Sequence, residues 1–242
     1  MILPWMNKIA AAALAAAAPA PCPDVVTPDA FVCRALEASH NGKPEAAATA
    51  FEQAALATDD KDPAKARMLA AAGNMWIAAG QPGKAALALD RALAGTGLEA
   101  EQRGEALLDR ARAAEAQNDL KTARAKLTEA APTVSDDPFY WYFSAAVAIR
   151  ELDKATAQVA INKALSLAPS EPIVLFEAGH VAHFVGDDAK ARDYWTRAAA
   201  ADPTGPAGRE AHNALAILPA PLTERLNSPP PVTKKLTPAK GN

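Results

Sequence analysis

The chain has 242 residues, half of them hydrophobic, only 5% aromatic, and a formal net charge of −3. Alanine makes up about a quarter, and the β-branched and aromatic residues that fill strands are too scarce for a sheet protein, which leaves an all-helical fold. The charge shows no basic stripe along a helical body, so the footprint of a nucleic-acid binder is missing.

Residues 1–20 read as a signal peptide. Lys8 is their single charge, Ile9 to Ala18 is an unbroken apolar run, and Ala-x-Ala sites follow, of which a cut after Ala17 leaves no proline directly behind the cleaved bond. That run is too short for a bilayer about 30 Å thick, so no transmembrane segment is expected in the mature chain. Export to a periplasm is the expectation. Residues 21–27 form a Pro-rich lead-in. Cys22 and Cys33 are the only cysteines. In an oxidising compartment they can close a disulfide worth roughly 3 kcal/mol of loop entropy, stapling the lead-in to the first helix. Alternatively Cys33 is a small buried residue of that helix and Cys22 a free thiol. Their spacing fits neither a CxxC redox pair nor a zinc site.

From residue 28 onward one spacing recurs: a small residue, an alanine twelve later, and another alanine seven after that. The sets are Ala35, Ala47, Ala54; Gly73, Ala85, Ala92; Ala111, Ala123, Ala130; Ala145, Ala157, Ala164; and Gly179, Ala191, Ala198. Between the two alanines of each set stands a large apolar residue: Phe51, Leu89, Leu127, Ile161 and Trp195. One match means little in a chain this rich in alanine, but five in register do not arise from composition. Seven residues after each small residue falls a turn, at Gly42, Gly80, Asn118, Leu152 and Gly186. Glycine and asparagine suit a left-handed helix end there, and Leu152 does not. Asp153 and Asp187 stand ready to cap the next helix, and Pro169 and Pro203 close their units. The sets repeat at 38, 38, 34 and 34 residues, the longer periods placing extra residues in the connectors Thr58 to Pro63 and Ala94 to Glu101.

The order small residue, turn, alanine, large residue, alanine, proline, cleanest from Leu175 to Pro203, resembles the tetratricopeptide repeat, whose usual length is 34 residues. The resemblance implies an all-α fold: a right-handed superhelical α-solenoid of about five TPR-like helix pairs over residues 28–218, ending in a capping helix at Pro206 to Leu218. Residues 219–242 are expected to form a disordered Pro-rich basic tail, with Arg225, Lys234, Lys235 and Lys240 against Glu224. That leaves about −6 on the helical body.

The resemblance also implies that the first helix of each pair lines a concave groove. With Leu175, Gly179 and Ala182 on the buried face, Phe176, His180 and His183 project into it. The matching positions are Val32, Leu36 and Ser39; Ala70, Asn74 and Ile77; Leu108, Arg112 and Glu115; and Tyr142, Ala146 and Ile149. Candidate partner-binding residues are therefore Asn74, Ile77, Leu108, Arg112, Tyr142, Ile149, Phe176, His180 and His183. Nine of the 13 aromatic residues fall between Phe139 and Trp195, and a helix cannot point the five from Phe139 to Phe143 into one core. Either some face outward as a partner site, or Trp141 and Phe143 fill the space between repeats while Tyr140 and Tyr142 keep their hydroxyls in water. Some members of the family grip a C-terminal carboxylate through lysines, arginines and asparagines; Asn74 and Arg112 match, but the lysines are missing.

Glu177, His180 and His183 follow at intervals of three, with Asp187 four further on, an order that could surround a metal. A tetrahedral zinc site needs three or four ligands, which one helix rarely supplies, so the ordinary reading is that these histidines line the groove or face solvent. No GxSxG elbow, HExxH, Gly-rich phosphate loop or cysteine with a histidine base occurs. The expectation is a non-enzymatic scaffold or adaptor of the bacterial envelope, without cofactor, binding a peptide or another protein in its groove. The alternatives are a metal-dependent enzyme centred on Glu177, His180 and His183, and an architectural subunit that binds by its convex face.

Overall fold

The computed structural model describes residues 21–219, so the expected signal peptide and all but the first residue of the expected tail lie outside the described residues. Among the described residues every regular element is a helix. Five helix pairs follow one another: α1 (Pro28–His40) with α2 (Pro44–Ala57), α3 (Ala64–Ala78) with α4 (Pro82–Ala94), α5 (Ala100–Ala116) with α6 (Leu120–Val134), α7 (Pro138–Arg150) with α8 (Lys154–Leu167), and α9 (Pro172–Val185) with α10 (Asp188–Ala201). A last helix, α11 (Pro206–Ile217), closes the array. No helix among the described residues is long and apolar enough to cross a membrane.

Each pair turns on the same device. Gly42, Gly80, Asn118, Leu152 and Gly186 all take positive φ, at 66°, 68°, 62°, 61° and 96°. At every one, two backbone N–H groups bond back into the ended helix; at the fourth, Leu152 N–H donates to Ile149 O at 3.0 Å and Asp153 N–H to Ala148 O at 2.9 Å. These bonds satisfy carbonyls that a helix end leaves open. Leu152 therefore adopts the left-handed conformation that its side chain disfavours, because the paired bonds and the start of α8 leave no other path. The second helices of the first two pairs begin on Pro44 and Pro82, whose fixed φ suits a first turn. Those of the last three are capped by Asp119, Asp153 and Asp187, which accept the N–H groups of Thr122, Thr156 and Lys190.

Within a pair the two helices approach closely where the small residue meets the large one. A Cβ on Gly73 would lie 2.4 Å from Leu89 Cγ, and one on Gly179 2.3 Å from Trp195 Nε1. Leu89, Leu127, Ile161 and Trp195 are fully buried. Trp195 keeps its indole N–H satisfied by donating to Phe176 O at 3.0 Å. The core is a string of local clusters along the array, the first running through the first three pairs and the later ones each joining two successive units, rather than a single centre. At one end Cys22 and Cys33 form a disulfide, and Arg34 donates to Val25 O at 3.0 Å, so the lead-in lies against α1. At the other, Ala211 and Ala214 of α11 and Leu218 just beyond it complete the cluster built on Leu175, Ala182 and Trp195.

Candidate binding groove on the inner helices

Residues one, four and five after each small residue share one side of an α-helix, since three- and four-residue steps return to the same face. On α7 these are Ala146, Ile149 and Arg150, and on α9 they are His180, His183 and Phe184. Together with Glu177 these six line one open depression of about 560 Å³. The structure thus brings together Ile149, His180 and His183 from the sequence-predicted set. Arg150, Glu177 and Phe184 were missed as groove residues; the signal for Arg150 and Phe184 is that they stand four residues beyond Ala146 and His180.

Inside the depression most charges are already committed. Arg150 donates to the carboxylate of Glu115 and, at 2.6 Å, to Asn118 Oδ1, which ties α7 to the end of α5. His183 Nδ1 meets Asp188 Oδ1 at 2.7 Å, and His180 Nδ1 meets Glu177 Oε2 at 3.3 Å. The two histidines thus face different carboxylates, and Asp187 is occupied as the cap of α10. Among the described residues no group of three or more His, Cys, Asp or Glu is arranged to hold a metal ion. Phe176 meets His180 edge-on with ring centroids 4.3 Å apart and leans on the cluster shared with α11.

The remaining predicted positions lie outside that depression. Asn74 Nδ2 donates to Asp109 Oδ2 at 2.7 Å, and Arg112 donates to Asp109 Oδ1 at 2.9 Å. One carboxylate of the chain itself thus takes up the two groups that a ligand carboxylate would need. The Arg112 guanidinium lies 5.4 Å from the Phe139 ring, which meets Tyr142 edge-on at 4.9 Å. Burial pushes the Tyr142 phenol up to about 12, against the pull of Arg112, so its hydroxyl stays protonated. Ile77 is half-buried against the core of the second unit. Leu108 is a correction: it is only 5% exposed, inside the cluster that holds Tyr140 and Phe143. Tyr140 and Phe143 of α7 share that cluster with α5, whereas the matching positions Val32, Ala70, Tyr142 and Phe176 are half-buried. Tyr140 is buried too, and burial raises its phenol.

Five helix pairs with a shared turn, a small-to-large contact in each pair, and a closing helix define an α-solenoid of the tetratricopeptide-repeat type. No family model matches the chain, and no curated protein matches it by sequence. The fold is shared with solved structures. YrrB, described as a TPR protein with an unusual peptide-binding site, is 17% identical at a TM-score of 0.54 over 76% of this chain and 91% of its own. A thermophilic TPR protein of Thermus thermophilus, TTC0263, is 18% identical at 0.59 over 79% of this chain and all of its own. PilW, a widely conserved type IV pilus biogenesis factor, is 18% identical at 0.61 over 75% and 80% of the two chains.

Proposed function

We propose that this chain is a non-enzymatic protein-interaction scaffold of the bacterial envelope, which holds a peptide segment of a partner protein on its inner helices, centred on the depression between α7 and α9. The observation that carries the reading is the convergence of Ile149, His180 and His183 on one open depression lined by apolar, aromatic and charged groups. Such a mixed concave surface suits an extended segment, with apolar anchors for affinity and polar groups for register. YrrB, of the same fold, is described as having a peptide-binding site. Placement in the envelope is supported by the signal-like residues 1–20 and by the Cys22–Cys33 disulfide, a bond that persists in oxidising compartments.

The test is photo-crosslinking in the native cell, with the crosslinking residue at Ile149 or His183 on the inner side, or at Leu87, which is 69% exposed on α4. A partner captured from the first two positions and not from Leu87 supports the groove. The same partner captured only from Leu87 replaces it with the convex-face alternative. Fractionation of those cells, with thiol labelling of Cys22 and Cys33 before and after reduction, tests the compartment: reactive thiols in the untreated protein count against export.

A further inference from the structure

We infer that the groove between α7 and α9 selects a lysine or arginine of its partner, with the side chain's charge against Glu177 and its aliphatic stem on Ile149 and Phe184. This rests on the groove reading above and gives the bound segment its chemistry.

The depression leaves few of its charges uncommitted. Arg150 is held by Glu115 and Asn118, and His183 by Asp188. Glu177 is only 8% exposed, yet a single protein group approaches its carboxylate: His180 meets Oε2 at 3.3 Å, and among the described residues Oε1 accepts no hydrogen bond. No fully enclosed side-chain oxygen among the described residues lacks a partner. Glu177 Oε1 therefore retains an opening, and the depression is the opening its residue borders. A carboxylate covered on all other sides has already lost much of its hydration, so a cation brought to it gains a charge-assisted hydrogen bond, roughly twice as strong as a neutral one.

The walls fit the rest of such a side chain. Lysine and arginine lay their methylene stems along apolar surface and keep the charged end in a polar spot; Ile149 and Phe184 supply the surface and Glu177 the spot. An acidic ligand meets the opposite conditions. It would face Glu177 across a short gap, with Arg150 neutralised and with Asn74 and Arg112 both held by Asp109, and like charges at an interface work against binding. The net negative charge of the helical body likewise favours a cationic partner.

The test uses the full chain and fluorescent nonapeptides with randomised flanks and a central lysine, arginine, norleucine or citrulline, read by polarisation. The expected result is binding about tenfold tighter for lysine over norleucine and for arginine over citrulline, a preference erased by Glu177→Gln. Because the peptide side is varied on unchanged protein, a variant that folds poorly does not decide the outcome. Equal binding of charged and neutral peptides overturns the inference, as does a preference that survives Glu177→Gln. Ile149→Arg fills the depression and separates the two levels: loss of all peptide binding without any charge preference keeps the groove and removes only Glu177's role, whereas binding untouched by Ile149→Arg removes both, as does a library without binders. If peptides bind only after Lys234→Ala with Lys235→Ala, the occupant is the chain's own basic segment, and the assignment to a partner is overturned.

Discussion

Leu152 holds a backbone conformation that costs an L-residue with a Cβ about 1–2 kcal/mol, and the residue is 77% exposed. Little packing is lost by removing that side chain, so Leu152→Gly is expected to stabilise the protein by about 0.5–1 kcal/mol, the relief being reduced by the freedom glycine adds to the unfolded chain. Urea unfolding would show it as a higher midpoint at unchanged slope. Gly179 gives the opposite sign. A methyl there lies 2.3 Å from the Trp195 indole nitrogen and displaces the bond that nitrogen makes to Phe176 O, so Gly179→Ala should cost about 1–3 kcal/mol. Both positions are legible in the sequence, because the turn and the small-to-large contact recur at fixed spacing inside each unit. Leu108 is not. Its burial depends on which side chains α7 brings across to α5, and the periodicity of one helix holds no information about its neighbour. Glu177 is half legible: its spacing to His180 is plain, but whether that face meets a metal, a core or an opening is decided by α7.

At the scale of helices, the last three pairs differ from the first two in how their second helix starts, and the difference sets a pH dependence. Hydrogen bonds from Thr122, Thr156 and Lys190 hold the carboxyls of Asp119, Asp153 and Asp187 below their ordinary value of 3.8. A carboxyl that binds its proton less readily folded than unfolded stabilises the fold above the unfolded value, and loses that contribution as pH falls through the lower folded one. Melting temperature should therefore be level from neutral pH to about 5 and fall below about 4. Asparagine caps a helix about as well as aspartate without titrating. Replacing all three by asparagine should flatten the acid limb while leaving the neutral melting temperature nearly unchanged; an acid limb of the same steepness would place the loss elsewhere. Pro44 and Pro82 carry no titratable group, so the first two pairs should contribute less to this limb, which local hydrogen exchange at pH 4 and pH 6 would resolve.

The molecule as a whole has clusters rather than a centre, and this decides how damage spreads. In an array where each unit touches only its neighbours, stability is a sum of local terms and the ends open first. The two ends are secured by different means. The first helix has only Ala30 and Ala35 fully covered and is stapled by the disulfide between Cys22 and Cys33. The last pair is covered by α11, where Ala211 is completely buried against the cluster of Leu175, Ala182 and Trp195. Ala211→Asp places a charge without a partner into that contact, a change that costs several kcal/mol where the site cannot rearrange. Amide protection in α9, α10 and α11 should then fall at least tenfold while α1 to α4 keep theirs, and reduction of the disulfide should loosen α1 and leave α9 and α10 unchanged. Since the groove is built from α7 and α9, the first change should also weaken capture through His183, and the second should not. Uniform loss of protection along the chain in either experiment would mean that the stack opens as one cooperative body, and that its C-terminal recognition surface cannot loosen independently of the rest.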